Sequence, residues 1–317
     1  MKQTSLLIEY KPSPFNPVFA RHETFHPRFG WLKKGFDLAQ KNPSIFLQDD
    51  ALIQLGVGKN MVNSIRYWCH AFKILEEDKD VSGKGRSSFP TEFGSKLLSE
   101  NGWDSFLEDP ASLWLLHWNL LKPTCEAASW YYIFNLFREN DFTNDDLIEA
   151  LTDYAKGLKN SIADNSLKKD ITCLLRMYVN NRNKKGFVED SIDCPFNELG
   201  LIHLTEDSRY FAFRFGPKFN LPPEILVATC LEYASLENDG AKTIAISRLL
   251  YNLGSPGMVF KLTESAICDA IEKVAKYDRS ISLSDSSGLI QLSFNEDPAK
   301  LSVNILERYY QGDRRWR

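Results

Sequence analysis

The sequence predicts a mainly α protein with small β-hairpins, built as two winged-helix-like units joined by a helical, aromatic-rich core. Three observations predict it. Apolar residues recur at spacings of three or four along much of the chain, most clearly at Val57, Met61, Ile65, Trp68 and Phe72. Helix–turn–helix patterns occur twice, each followed by a segment that reads as a hairpin, EEDKDVSGKGRSS at 76–88 and ISLSDSSGLIQLSF at 281–294. Between them, SLWLLHWNLLKPTCEAASWYYIFNLF at 112–137 is nearly continuous apolar sequence and marks helices buried at the centre. The chain divides accordingly into a first unit at 1–100, a helical core at 101–165 and a C-terminal domain at 166–317 that holds the second unit.

Taken in order, FARHETFHPRFGWLKK at 19–34 opens as an irregular polar segment, because Pro12, Pro14 and Pro17 crowd its approach and Pro27 disfavours helix before it. A helix follows over Trp31–Gln40, with Trp31, Phe36 and Leu38 on one side and Asn42-Pro43 ending it. A short helix over Asp49–Leu55 stops at Gly56. The Gly56-Val57-Gly58 turn then leads into the helix of VGKNMVNSIRYWCHAFKIL, whose head carries Lys59, Asn60, Asn63, Ser64 and Arg66. In a helix–turn–helix this second helix reads DNA: Asn and Arg suit adenine and guanine edges, and Lys59 suits a phosphate. The loop at 76–88 is its wing, and order resumes over Phe89–Leu98.

His117 lies inside the aromatic run and reads as a core histidine with its hydrogen bonds satisfied. A helix starts at Phe142-Thr143-Asn144-Asp145-Asp146, capped by Thr143 or Asn144. LKKDITCLLRMYV is a helix, and NNRNKKGFVEDSIDCPFNELG is a long connection containing Cys194 and Pro195. HLTEDSRYFAFRFG alternates as a hairpin, and LPPEILVATCLEYASL is a helix with Pro222 and Pro223 at its start. The second unit then reads as a helix over Thr243–Leu253, a turn over Gly254–Gly257, a helix over Leu262–Val274 capped at Thr263, and a wing turning at Ser286-Ser287-Gly288.

Composition narrows the function classes. With 317 residues, 43% hydrophobic and 25% charged, the chain is long enough for two or three small cores, and a net charge of -4 excludes a uniformly basic surface. Contact with nucleic acid must come from local patches: Lys59, Arg66 and Lys73; Lys168, Lys169, Arg176, Arg182, Lys184 and Lys185 against Asp170; and Arg308, Arg314, Arg315 and Arg317 against Asp313. The six cysteines form no C-x-x-C pair and read as buried reduced thiols. No apolar stretch approaches about eighteen residues, so no membrane span is expected and the cytoplasm is the simplest compartment.

His22-Glu23-Thr24-Phe25-His26 matches the zinc signature H-E-x-x-H, but that motif needs a helix, which the prolines argue against. A phosphate loop at Gly58-Lys59 fails because Ile53 and Asn60 stand where glycine and Ser or Thr are required, so no nucleotide cofactor is expected. Glu77-Asp78-Lys79 has the nuclease spacing E-x-K but lies in a wing loop without a hydrophobic strand around it.

The blocks HETF, WLKKG, LGVGKNMVNSIRYW, PTEFGSKLL and LEDPASLWLLHW, in that order over Phe19–Trp118, resemble the SspB-type family of bacterial DNA phosphorothioation defence systems. The resemblance continues through Phe134-Asn135 and Phe142-Thr143 to Leu306-Glu307-Arg308-Tyr309-Tyr310. It implies a DNA-nicking endonuclease that opens one strand for sulfur incorporation, acting on double-stranded DNA beside a cysteine desulfurase, an ATPase and a sulfurtransferase of the phosphoadenosine-phosphosulfate reductase type. Arg21 stands where the family usually has glycine before HETF. Cleaving a phosphodiester needs an activated nucleophile, charge neutralisation at phosphorus and help for the leaving oxygen. On that reading His22 is the acid or base, Glu23 orients it or holds a divalent cation (Mg or Mn), and Arg28, Lys33 and Lys34 stabilise the phosphorane. The alternative is a non-catalytic winged-helix adaptor or regulator that binds DNA and recruits the sulfur-transfer machinery.

Overall fold

A computed structural model describes residues 17–78, 86–158, 162–179, 194–207, 209–237, 240–286 and 288–312. Helices dominate the described residues, and the strands form one two-stranded and two three-stranded antiparallel sheets.

The first helices form where the apolar spacing places them. Helix α1 (Trp31–Lys41) buries Trp31, Leu32, Phe36 and Ala39, and α3 (Lys59–Ala71) buries Val62, Ile65 and Trp68. The two approach closely at Gly35, where a Cβ would collide with Cys69 Sγ and Ile65 Cγ2. Between them α2 is shorter than the sequence suggests, Ala51–Leu55, and ends at the left-handed Gly56. Strand β1 (Leu75–Glu77) pairs with β2 (Ser88–Pro90), giving the hairpin expected after α3; its tip at 79–85 lies outside the described residues. Helix α4 (Glu92–Leu98) follows, capped by the Thr91 hydroxyl.

The aromatic run becomes α5 (Pro110–Leu121) and α6 (Ala128–Asn135), both buried almost all round. Strand β3 (Asp141–Phe142) precedes α7 (Asn144–Lys156), so Phe142 belongs to a sheet rather than to the helix start. Thr143 caps α7 in a reciprocal box with Asp146. Helix α8 (Asp164–Tyr178) comes next, and the expected hairpin is β4 (Ile202–Leu204) with β5 (Phe211–Phe213), joined by β3 in the order β3-β5-β4. The basic connection at 180–193 and the tail at 313–317 lie outside the described residues.

Helix α9 (Pro223–Glu237) is buried on most faces and packs on α13 (Pro298–Tyr310) and α12 (Glu264–Ala275). The second unit departs from expectation in two places. Thr243–Ala245 is strand β6, and the helix begins only at Ile246 as α10 (Ile246–Tyr251). Pro256–Phe260 is helix α11, not a turn, started by the Ser255 hydroxyl and Pro256. Thr263 sits at the N-cap of α12, but its hydroxyl faces Ser265 Oγ and does not cap the helix. Strands β7 (Ile281–Ser286) and β8 (Leu289–Phe294) form the predicted hairpin, with β6 adding to β8 in the order β6-β8-β7.

One hydrophobic core runs through all three segments. The C-terminal helix straps it together: Glu307 pairs with Lys96 at 3.0 Å, Tyr310 stacks on Trp103 at 5.2 Å, and the Tyr309 hydroxyl donates to Asp109. His117 is a core residue, with Tyr178 Oη at 2.7 Å from Nδ1 and the Val259 carbonyl at 3.0 Å from Nε2. Both nitrogens are satisfied in the neutral ring, and burial holds its pKa down to about 3.

Two outcomes follow from this packing. Gly94→Ala drives a Cβ into the Ile74 carbonyl and should lower stability by roughly 1–3 kcal/mol in chemical denaturation. His117 binds a proton more readily unfolded, where imidazole has its ordinary value of 6.5, than folded (about 3), so its contribution is complete above pH 6.5 and is lost as pH falls toward 3. The denaturation midpoint should therefore drop between pH 7 and pH 5 in the wild type, with a shallower slope in His117→Phe.

Candidate nucleic-acid interface

The segment before α1 is irregular because Ala20, Glu23 and Thr24 all adopt positive φ, at 55, 50 and 69°. No helix presents His22 and His26 on one face, which removes the geometry that a zinc H-E-x-x-H motif requires. His22 instead points inward. It is 0% exposed, its Nε2 donates to Asp170 Oδ1 at 2.7 Å, and its ring is boxed by Trp68, Tyr67 and Trp130. Asp170 also accepts from the Ala20 backbone N–H at 2.8 Å and from the Ser129 hydroxyl at 2.5 Å. Burial first and the Asp170 charge second push the Tyr67 phenol well above its ordinary range.

This network fixes the turn that carries the remaining candidates. Glu23 is half-buried and Arg21 exposed on its outer side. Trp68 Nε1 donates to the Phe25 carbonyl at 2.9 Å, and the Ser64 hydroxyl points to the same oxygen. Ser64 is thus buried on the inner face of α3, away from any groove-facing position. Arg28 lies over the rings of Phe25 and Trp31, at 5.9 and 5.5 Å from their centroids.

The two lysines of α1 diverge in role. Lys33 pairs with Asp37 at 2.6 Å, one turn along, and lies over the Phe106 ring at 5.7 Å. Lys34 is exposed, and its Nζ reaches the Leu55 carbonyl at 3.1 Å, capping the end of α2. Together with Gly30, Asp37, Gln54 and Phe106 they line a groove of about 390 Å³, in which the Asp37 carboxylate is already paired with Lys33. Lys59, Asn60 and Asn63 are exposed at the head of α3, which begins without an acid. Arg66 is engaged elsewhere: it bonds Glu77 at 3.1 Å and the Arg86 carbonyl at 3.0 Å, tying α3 to the hairpin. The structure therefore brings Lys33 and Lys34 into one groove and Lys59, Asn60 and Asn63 onto one surface, and separates His22 and Ser64 from both.

Asp170 and Phe106 complete this region and do not stand out as site residues in a motif search. Asp170 had a legible signal, since it falls three residues after Leu167 and four before Leu174, on the apolar stripe of α8. A charge on a buried stripe needs a partner. Phe106, 73% exposed in the loop before α5, carries no periodic signal.

Comparison with known proteins places this architecture. Residues 19–310 match the family described as Protein of unknown function (DUF4007). A crystal structure described as magnesium ion-bound SspB superposes with a TM-score of 0.87 at 38% sequence identity, over 94% of this chain and 89% of the other. The chain belongs to the SspB family. A second SspB crystal structure agrees, with a TM-score of 0.86 at the same identity and coverage. No curated protein matches. The matched residues include the HETF turn, the hairpins β1–β2 and β7–β8 and α13. No helix among the described residues is long and apolar enough to cross a membrane.

Removing Asp170 strands a buried imidazole, a backbone N–H and a hydroxyl at once. Asp170→Ala should therefore cost about 3–5 kcal/mol in chemical denaturation, whereas Glu23→Gln, at a half-exposed site, should change stability by less than about 0.5 kcal/mol.

Proposed function

We propose that this chain is the DNA-engaging component of a DNA backbone phosphorothioation and phage-defence system, and that it nicks one strand of duplex DNA to open it for sulfur incorporation. Kinship along nearly its whole length with SspB, one structure of which holds magnesium, carries this reading. Two antiparallel hairpins, β1–β2 after α3 and β7–β8 after α12, support it, because a winged helix presents a recognition helix and such a wing to a duplex. A cysteine desulfurase, an ATPase and a sulfurtransferase of the same system are its partners on this view.

Each residue takes the role its surroundings permit. Lys34 and Lys59, exposed near helix starts, contact phosphates, and Asn60 and Asn63 face base edges. Lys33 neutralises charge in the groove from a position shared with Asp37. Arg66 holds the hairpin against α3. His22, sealed against Asp170, is a positioning residue that sets the turn, and Arg28 braces it through Phe25 and Trp31. Glu23 is the carboxylate left on the outer side. Among the described residues no three His, Cys, Asp or Glu side chains gather to hold a metal ion. Magnesium that keeps its waters needs only one or two carboxylates plus phosphate oxygens, and when bound it would neutralise charge on the scissile phosphate.

A specific observation favours the adaptor alternative: the histidine best suited to proton transfer is out of solvent's reach. One pair of assays separates the readings. On the nicking reading, purified protein converts supercoiled plasmid to open circles with Mg²⁺ or Mn²⁺ and stops with chelator, and Glu23→Ala loses nicking while keeping the gel shift. Shifted DNA without strand breaks under any metal establishes the adaptor instead. In either case Lys34→Ala and Lys59→Ala should weaken duplex binding and each reduce the salt slope by about one.

A further inference from the structure

A second cavity, of about 510 Å³, opens between the end of α6, the end of β5 and the helices α10 and α11. Its floor is Lys261. That residue is 3% exposed and follows α11 with φ 55°, a left-handed position where glycine would be free of strain. Its Nζ donates to the Phe134 carbonyl at 2.6 Å and lies 4.2 Å from the Phe213 ring centroid, with Phe134 and Phe215 at 5.5 and 6.0 Å. An ammonium has three protons to donate. One carbonyl takes one, and no carboxylate among the described residues pairs with Lys261.

The two charged groups that act most on it, Arg138 and Lys218, are both cations. Arg138, exposed at the mouth, donates to Met258 Sδ at 3.6 Å and has no ion pair among the described residues. Lys218 donates to the carbonyls of Arg214, Gly216 and Lys261, pinning the 214–218 loop beside the cavity. Burial, then Arg138 and Lys218, push the Lys261 amine down to about 7, while burial and then Arg214 bring Lys218 to about 8. Glu139 and Glu264 stand among the lining residues without pairing to either cation. Such a site is held at a cost that an incoming anion would offset.

The walls are aromatic and open. Phe215 is 55% exposed, Tyr251 is a second exposed ring in the lining, and Phe219, just after the pinned loop, is 94% exposed. Cations interleaved with accessible rings are what single strands require, since phosphates take the charge and bases stack on the rings. A paired base in a duplex offers no free face to stack on.

We propose that the cavity floored by Lys261 receives an unpaired nucleotide of a DNA strand, its phosphate held between Lys261 and Arg138 and its base stacked on Phe215. This rests on the DNA reading above and gives that reading a second surface, one for the strand that opens at a nick. The occupant is a strand rather than a free nucleotide, because the exposed Arg214 and Phe219 continue the cation-and-ring pattern outside the cavity.

The test is fluorescence anisotropy with a labelled oligothymidylate of about ten nucleotides and, in parallel, a blunt duplex of equal length. Arg138→Ala and Phe215→Ala, both at exposed positions, should each weaken oligomer binding by about tenfold and leave duplex affinity within about twofold. Unchanged oligomer binding in both variants, or an equal loss on the duplex, overturns the proposal. Displacement of the oligomer by equimolar thymidine 5′-monophosphate also overturns it, by showing a free nucleotide as the occupant. If wild-type protein shifts and nicks duplex while the variants bind oligomer normally, only this inference fails; if wild type binds neither DNA, the function reading fails with it.

Discussion

The buried contact between His22 and Asp170 is the constraint on which the N-terminal half depends. A carboxylate at 1% exposure survives only if its acceptor capacity is filled, and here an imidazole and a backbone amide from one turn and a hydroxyl from a distant helix fill it. The amide comes from the turn before α1, the hydroxyl from α6, and the carboxylate itself from α8. The same turn adds the Val18 amide to the Glu126 carbonyl at 3.0 Å, so the polypeptide is fastened to the core before α1 begins. Because Phe25 in turn receives Trp68, the position of α3 follows from that of the turn.

That arrangement explains why so polar a segment divides into an inner and an outer set. Left-handed backbone at Glu23 and Thr24 reverses the chain immediately after His22, sending the imidazole inward and leaving Arg21 and Glu23 outside. Local strain of this kind persists only where surrounding contacts outweigh it, and the Asp170 network is the contact available. The cationic groove between α1 and α2 is then a consequence of packing: Lys34 reaches the carbonyl end of α2, and Lys33 shares Asp37.

Most helices were legible because their burial is periodic; α1, α3 and α8 each carry the apolar spacing that packing then uses. Pieces whose structure comes from partners far along the chain were not. Thr243–Ala245 is too short to show alternation and becomes a strand by pairing with Gln291–Ser293. Phe142 likewise joins Phe211 across a long separation. Helix α11 was legible in principle, since Ser255-Pro256 is a helix-start pattern, but Gly254 and Gly257 on either side read more strongly as a turn. At the candidate site, the residue types of the HETF segment pointed to chemistry, while the direction of each side chain was set by backbone reversal and by Asp170, 148 residues away from His22.

The fold also contains an internal comparison that bears on Lys261. Lys73 and Lys261 both follow helices with left-handed backbone, at φ 57 and 55°, and burial lowers both amines, to about 8 and about 7. Lys73 spends its protons on structure, donating to the carbonyls of Asn119 and Lys122 at the end of α5, where the helix dipole is negative, and Glu126 and Glu232 help hold its charge against the Lys122 cation. Lys261 has one such carbonyl, three aromatic rings and two neighbouring cations that oppose its charge. A lysine needed only to cap α6 would be served by the Lys73 arrangement. The difference between them is an unfilled demand for negative charge facing a cavity, and a phosphate is the group whose size, charge and several acceptor oxygens meet it.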